Sequence, residues 1–329
     1  MTSIDRRTLL AAATAAAAAL VAAPARAQTA TLIVPYPPGG AVDILGRLIA
    51  DALEHRLNRT IVVENRGGAG GSIGTGALSR AAPDGATLGL LNVTQLIANK
   101  YLYASLPYDP DALTPISRVA TGTVICVANP DGAGARRWKT FGDMIRWSKT
   151  HPDQTRMGSS GVGTISHLGI ELVKSKTGAS ILHVPYKGGG PAIVDLLGGT
   201  VDIMFDVTPA LAPLVREGKV IALGVGSKER LAAFPDTPSV KEFSDIGLGD
   251  VDLQTWYAIA APKGMEEEPR DALFAAVKDV MADPSVTEKL APSGFTPVVD
   301  ASPDAFAKLI AEQNPYWQEL VKLSGAKLE

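Results

Sequence analysis

Apolar and polar positions along this chain follow two periods. Two-residue alternation rich in Val, Ile and Thr predicts strands over 31–36, 60–64 and 87–91. Between the first two, residues 41–58 put Ile44, Leu45, Leu48, Ile49, Ala52 and Leu53 on one stripe, the mark of an amphipathic helix. A Gly-rich loop and a short helix from Ser72 follow the second strand. The longer apolar run 117–128 suits a strand that crosses between two lobes. The pattern then restarts with a strand over 156–159 and a helix over 164–176 through Ile165, Leu168, Leu172 and Val173, with Gly178 placed to stop it. A strand over 181–186 leads to a helix over 191–197, opened by Pro191 and closed by Gly198 and Gly199. Strands over 201–207 and 220–226 flank a helix ending at Gly218, and after 251–260 the chain is mainly helical, over 269–281 and 305–323. Such alternation predicts an α/β fold of parallel sheets with helices on both faces.

Composition narrows the class. With 329 residues, 46% hydrophobic and 20% charged, the chain can bury a core in each of two lobes. Its first segment reads as an export signal rather than as part of the fold. Arg6 and Arg7 precede an Ala-rich apolar stretch over 9–23, and Ala25-Arg26-Ala27 forms a small-x-small cleavage site before Gln28. The stretch is shorter than the ~20 residues of a membrane span. The paired Arg, the Ala-rich stretch and Arg26 point to the twin-arginine route over the general secretory one. The expected mature protein is periplasmic, monomeric and without a lipid anchor, since no Cys follows the cleavage site. Removing residues 1–27 takes away three Arg against one Asp, moving the formal net charge from −3 to −5. A negative chain argues against a nucleic-acid partner, so any anion site must be built locally. Cys126 is the single Cys, which excludes an intrachain disulfide, and its apolar neighbours over 124–127 predict a buried, inert thiol. His55, His151 and His183 lack ligand spacing, so no metal and no cofactor are expected.

Three loops carry candidate chemistry: 35–40, 158–164 and 184–191. Each is Gly-rich and joins a strand to a helix, where amides converge and the helix start favours an anion. Ligands of open α/β sheets bind at this end of the strands. Two enzyme readings compete. The run Ala69-Gly70-Gly71-Ser72-Ile73-Gly74 approximates a dinucleotide fingerprint, with Ala in the first Gly position and no acid ending the strand over 87–92. An exported hydrolase would need a G-x-S-x-G elbow, and Gly158-Ser159-Ser160-Gly161 has the wrong spacing. Asp43 is expected to complement its helix dipole rather than touch a ligand. Trp256 and Tyr257 are expected as packing on a second crossing strand.

Taken together, the loops resemble those of the Bug-type periplasmic solute-binding proteins of tripartite tricarboxylate transporters. VPYPPGGAVDILGR, VVENRGGAGGSIG, APDGATL, GSSGVGTISHLGIEL and HVPYKGGGPAIVDLLGGTVDIMFD carry the resemblance in order and spacing across the mature chain. It implies two Rossmann-like lobes joined by two crossing strands, the type II periplasmic binding protein architecture. Residues 28–127 plus 252–329 would form one lobe and 128–251 the other. It also implies no catalysis, a small carboxylate ligand (a dicarboxylate, acidic amino acid or aromatic carboxylate) and membrane subunits of such a transporter as partners. Mapped here, the carboxylate would lie between Pro38, Gly39, Gly40 and Ala41 on one side and Ser159, Ser160, Gly163 and Thr164 on the other. Asp206 would line the cleft floor, and Tyr36, His167, Tyr186, Lys187 and Gly188 complete the candidate set. Tyr36 stands where Phe is common and adds a hydroxyl; Gly46 stands where Ala is common, a packing detail. Lys187 is the single cation in the three loops, so the anion is expected on backbone amides rather than on an Arg clamp. Replacing Arg6 and Arg7 with Lys should block export, read by fractionating cells for the mature form; undiminished export would leave only the general secretory route.

Overall fold

The structure, a computed structural model, describes residues 29–328, and the export signal expected over 1–27 lies outside them. The first sheet is assembled from β1 (Ala30–Val34), β2 (Ile61–Asn65) and β3 (Thr87–Asn92), with α1 (Ala41–Leu57) and α2 (Ser72–Ser79) between them and α3 (Asn99–Leu102) after β3. β4 (Thr114–Ala128) then leaves this sheet for a second one. That sheet forms from β5 (Arg156–Ser159), β6 (Leu182–Pro185), β7 (Ile203–Val207) and β8 (Ile221–Val225). Its helices are α4 (Pro130–Arg136), α5 (Phe141–Thr150), α6 (Ile165–Thr177), α7 (Gly189–Leu197) and α8 (Thr208–Arg216). The chain returns through β9 (Gln254–Ala261) and ends with α9 (Glu267–Ala282), α10 (Pro284–Leu290), β10 (Thr296–Pro297) and α11 (Pro303–Ser324).

Strand order is β2-β1-β3-β9-β4-β10 in the first sheet and β8-β4-β7-β5-β6 in the second. The strands of the βα units run parallel, β1 with β2 and β3, and β5 with β6 and β7. β4 and β9 run antiparallel to each other and to their neighbours. The sheets are therefore mixed, which corrects the expectation of parallel sheets. A strand that leaves one sheet for another, and the strand that returns beside it, must run in opposite directions. At the crossing the Leu253 N–H donates to the Gly226 carbonyl (2.8 Å) and the Thr123 hydroxyl to the Leu253 carbonyl (3.0 Å).

α1 shows how sequence sets position. Leu45, Ile49 and Leu53 on its inner face are fully buried, worth about 1.5–3 kcal/mol each. The helix stops at Asn58, whose left-handed backbone (φ 48°) returns its N–H to the Glu54 carbonyl. α11 packs against α6 and against the turn at Thr94–Ala98. Trp256 packs here as expected, edge-on to Phe306 at 5.2 Å with its indole N–H on Gln313 (2.8 Å). The start of α2 lies hard against the end of β1, where only a glycine fits. A Cβ on Gly74 would stand 2.6 Å from the Arg66 carbonyl oxygen and 2.9 Å from Pro35 Cα, both backbone atoms unable to turn aside. Gly74→Ala should therefore cost about 1–3 kcal/mol despite the better helix propensity of Ala, measured by chemical denaturation.

Candidate functional site

Four strands, β1 of the first sheet and β5, β6 and β7 of the second, each lead through a short loop or none to a helix: α1, α6, α7 and α8. The four helix starts surround one cavity of about 50 Å3. Gly40, Ala41 and Val42 face it from α1, Thr164 and Ile165 from α6, Gly188, Gly189 and Gly190 from α7, and Val207 and Ala210 from α8. A wider outer chamber of about 330 Å3 shares Tyr36, Pro37, Ser160 and Gly188 with it and opens past Tyr186 and Lys187.

The first amides of a helix have no intrahelical acceptor. No side chain caps α1, α7 or α8, and at α6 the one backbone N–H that the Thr164 hydroxyl oxygen caps is that of His167 (3.4 Å). The amides of Ala41, Val42, Ile165, Gly189 and Gly190 have no acceptor among the described residues. Partial positive charge from four helix starts thus converges on one small volume. Among the described residues, no Lys, Arg or His lines that volume, and its one charged side chain is an acid, Asp206.

Asp206, next to last in β7, is 2% exposed. Its Oδ1 accepts from the Ser166 hydroxyl (2.7 Å), the Val207 N–H (2.7 Å) and the Ser160 hydroxyl (3.2 Å). Burial pushes its carboxyl above the usual range, against the pull of those donors. Tyr36, just after β1, lines the same cavity. The Tyr36 hydroxyl oxygen accepts from Gln95 Nε2 (2.8 Å) and Asn92 Nδ2 (3.3 Å), so its own proton is left to donate into the cleft. Burial raises this phenol too, despite both bonds.

The candidate residues separate into three groups. Tyr36, Gly40, Ala41, Ser160, Thr164, Gly188 and Asp206 line the inner cavity, and Tyr186 and Lys187 line the outer chamber. The Tyr186 hydroxyl donates to Asp195 (2.7 Å), and its phenol is pushed up to about 12 by burial and by that carboxylate. Pro38, Gly39, Ser159, Gly163 and His167 line neither chamber. Pro38 and Gly39 are exposed, and the Gly39 N–H is taken by Asp43 Oδ2 (2.9 Å). Ser159 turns away to His183 Nε2 (2.6 Å), and the Gly163 N–H donates to His167 Nδ1 (3.1 Å). Sequence reasoning missed Asn92, Ile165, Gly189, Gly190 and Tyr257. The two glycines stood in the quoted GGGP run; Tyr257 gave no signal beyond packing.

His167, Glu171 and His183 bring potential metal-ligand atoms within 4.8 Å of one another, a grouping that sequence spacing did not disclose. The imidazoles stack at 4.5 Å. Because Gly163 donates to His167 Nδ1, the ring proton sits on Nε2 and this neutral His keeps no free lone pair for a metal. Burial lowers both histidines, His183 to about 4, which keeps the stack uncharged at neutral pH. The glycine turn at 69–74 is filled as well. Gln95 Nε2 donates to the Gly70 carbonyl (2.8 Å) and would stand 2.5 Å from a Cβ on Gly71, leaving a pyrophosphate no room.

The sequence matches the family described as tripartite tricarboxylate transporter family receptor over residues 45–326. BugT of Bordetella pertussis is 35% identical over 94% of this chain and 94% of its own length. Among solved structures, an R. palustris protein with adipate is 28% identical and superposes with a TM-score of 0.85, covering 92% of this chain and 100% of that one. MatC of Rhodopseudomonas palustris with bound malate is 30% identical with a TM-score of 0.80, covering 89% and 98%. The fold is the α/β periplasmic binding protein fold, and the family is one of binding proteins, not enzymes. The chain belongs to the Bug-type receptor family, the periplasmic solute-binding proteins of tripartite tricarboxylate transporters.

Proposed function

We propose that this protein, exported and trimmed near Gln28, captures a small organic carboxylate in the inner cavity and delivers it to the membrane subunits of a tripartite tricarboxylate-type transporter. One observation carries the reading: the starts of α1, α6 and α7 offer amides without an acceptor to a volume that, among the described residues, no cationic side chain lines. A carboxylate is flat, small and anionic, and can accept from several amides at once. The relatives solved with adipate and with malate support a small dicarboxylate or a related acid. The inner cavity takes the carboxylate end, and the outer chamber, with Tyr186 and Lys187, meets the remainder of the ligand.

Capture involves both halves of the molecule. We assign residues 28–127 with 252–329 to one lobe and 128–251 to the other, hinged at the paired crossing strands. The donors of α1 belong to the first lobe and those of α6, α7 and α8 to the second, so a shared anion draws the lobes together. A Cβ on Gly188 would stand 3.1 Å from the Pro37 ring, so the two loops lie close together, which supports this reading. The protein is expected to act as a monomer without a cofactor or a metal.

Ala41 tests the amide cradle cleanly. It is the first residue of α1, where proline is tolerated, so Ala41→Pro deletes one donor and leaves the helix. Charge-assisted bonds are worth about 1.5–3 kcal/mol, so Kd should rise by roughly ten- to a hundredfold for the acid that binds best in a calorimetric panel. Lys187→Ala should change Kd by no more than about threefold, as an exposed charge does. The reverse ranking in folded variants would mean that a side-chain cation holds the ligand. Thr164→Val, which keeps the amide and loses the capping hydroxyl, should fall between the two.

A further inference from the structure

The cavity that is offered to a carboxylate already contains one. Asp206 is nine-tenths and more buried, and its two oxygens stand in different surroundings. Oδ1 accepts from Ser166, Val207 and Ser160, and three donors leave it no lone pair for a proton. Oδ2 accepts from no group among the described residues, and a Cβ placed on Gly189 would stand 3.3 Å from it. A proton on Asp206 therefore resides on Oδ2, at the cavity wall. The elements packed around it bring no compensating cation. β4 pairs Ile125 beside it, α6 offers Ser166, α7 offers Gly189, and the titratable groups sharing the cavity are the phenols of Tyr36 and Tyr257. Burial raises the Asp206 carboxyl, in the direction of holding a proton.

A ligand carboxylate in this space faces Asp206 at close range. Two carboxylates sharing a dry site do not both stay ionised; one proton between them turns repulsion into a strong hydrogen bond. Resting on the carboxylate reading above, we propose that Asp206 holds its ligand through a shared proton, so that capture of the acid takes up one proton. The balance is simple. An ionised Asp206, a ligand carboxylate and one proton from solvent give a single O–H between Asp206 Oδ2 and a ligand oxygen, with no bond broken elsewhere. The helix-start amides then carry the one remaining negative charge, and the Tyr36 hydroxyl, its acceptor sites occupied, adds a further donor.

Calorimetry counts the proton directly. Adipate, malate, aspartate and benzoate are titrated into the mature protein in phosphate and in Tris, whose ionisation enthalpies differ, at several pH values. The expected result is uptake of close to one proton per bound acid above the titration of Asp206, with Kd rising about tenfold per pH unit there. D206N, with a fixed donor in place of the titrating group, should bind with no proton uptake and a pH-independent Kd. Measurable binding by the wild-type protein with zero proton uptake from about pH 6 to about pH 9 overturns the shared proton. If D206N is then also weakened a hundredfold, Asp206 is an ionised acceptor for a hydroxyl or ammonium of the ligand. No heat with any of the four acids removes the carboxylate reading itself, and this inference with it.

Discussion

A helix buried at its start owes an acceptor to its first amides, and the whole arrangement of this protein turns on where that debt falls. An unsatisfied buried donor costs about 1–3 kcal/mol. Here four helices begin beside one another, three without a capping side chain. The βα connections produce this coincidence, because β1 of the first sheet and β5, β6 and β7 of the second each pass through a short loop or none into a helix that starts at the cavity. A fold that concentrates unpaired donors in one cavity is pre-organised for an anion and needs no cation to hold it.

Two buried aspartates show how local donors set charge in such surroundings. Asp43 and Asp206 are each less than 5% exposed, and burial pushes both upward. At Asp43 the push is outweighed. The Gly39 N–H, Arg47 and Asn65 all donate to it, and its carboxyl lies below the usual range. It remains an anion that pins the β1–α1 loop. Asp206 has hydroxyl and amide donors on one oxygen only and no Arg, and it stays above that range. At Asp43 the Gly39 N–H lowers the carboxyl most, and Arg47, whose guanidinium reaches it at 2.9 Å, adds a hydrogen bond and a charge that Asp206 lacks.

Much of this was legible in the sequence. Apolar periodicity located the strands and the long helices to within a few residues, since core faces must repeat with the period of the element that carries them. The Gly-rich loops marked the site because amides can converge only where side chains are absent. What sequence did not disclose was direction. Ser159 and Ser160 are neighbours, yet one turns to His183 and the other to Asp206. Gly39 and Gly40 are neighbours too, yet Asp43 takes the first amide. The antiparallel crossing, the stacked His167 and His183, and Tyr257 in the cavity wall all depend on contacts between segments far apart in the chain.

Gripping by main chain also changes what mutation can reach. Nearly every codon change at Ala41 or Ile165 alters the side chain and leaves the N–H where it was. Only proline deletes it. On the reading proposed above, the chemistry that recognises the charged end of the ligand is thus shielded from ordinary drift, while Tyr186 and Lys187, which line the outer chamber alone, are free to vary with the rest of the molecule to be carried. Descendants of such a chain can change their cargo many times without ever having to reinvent the grip.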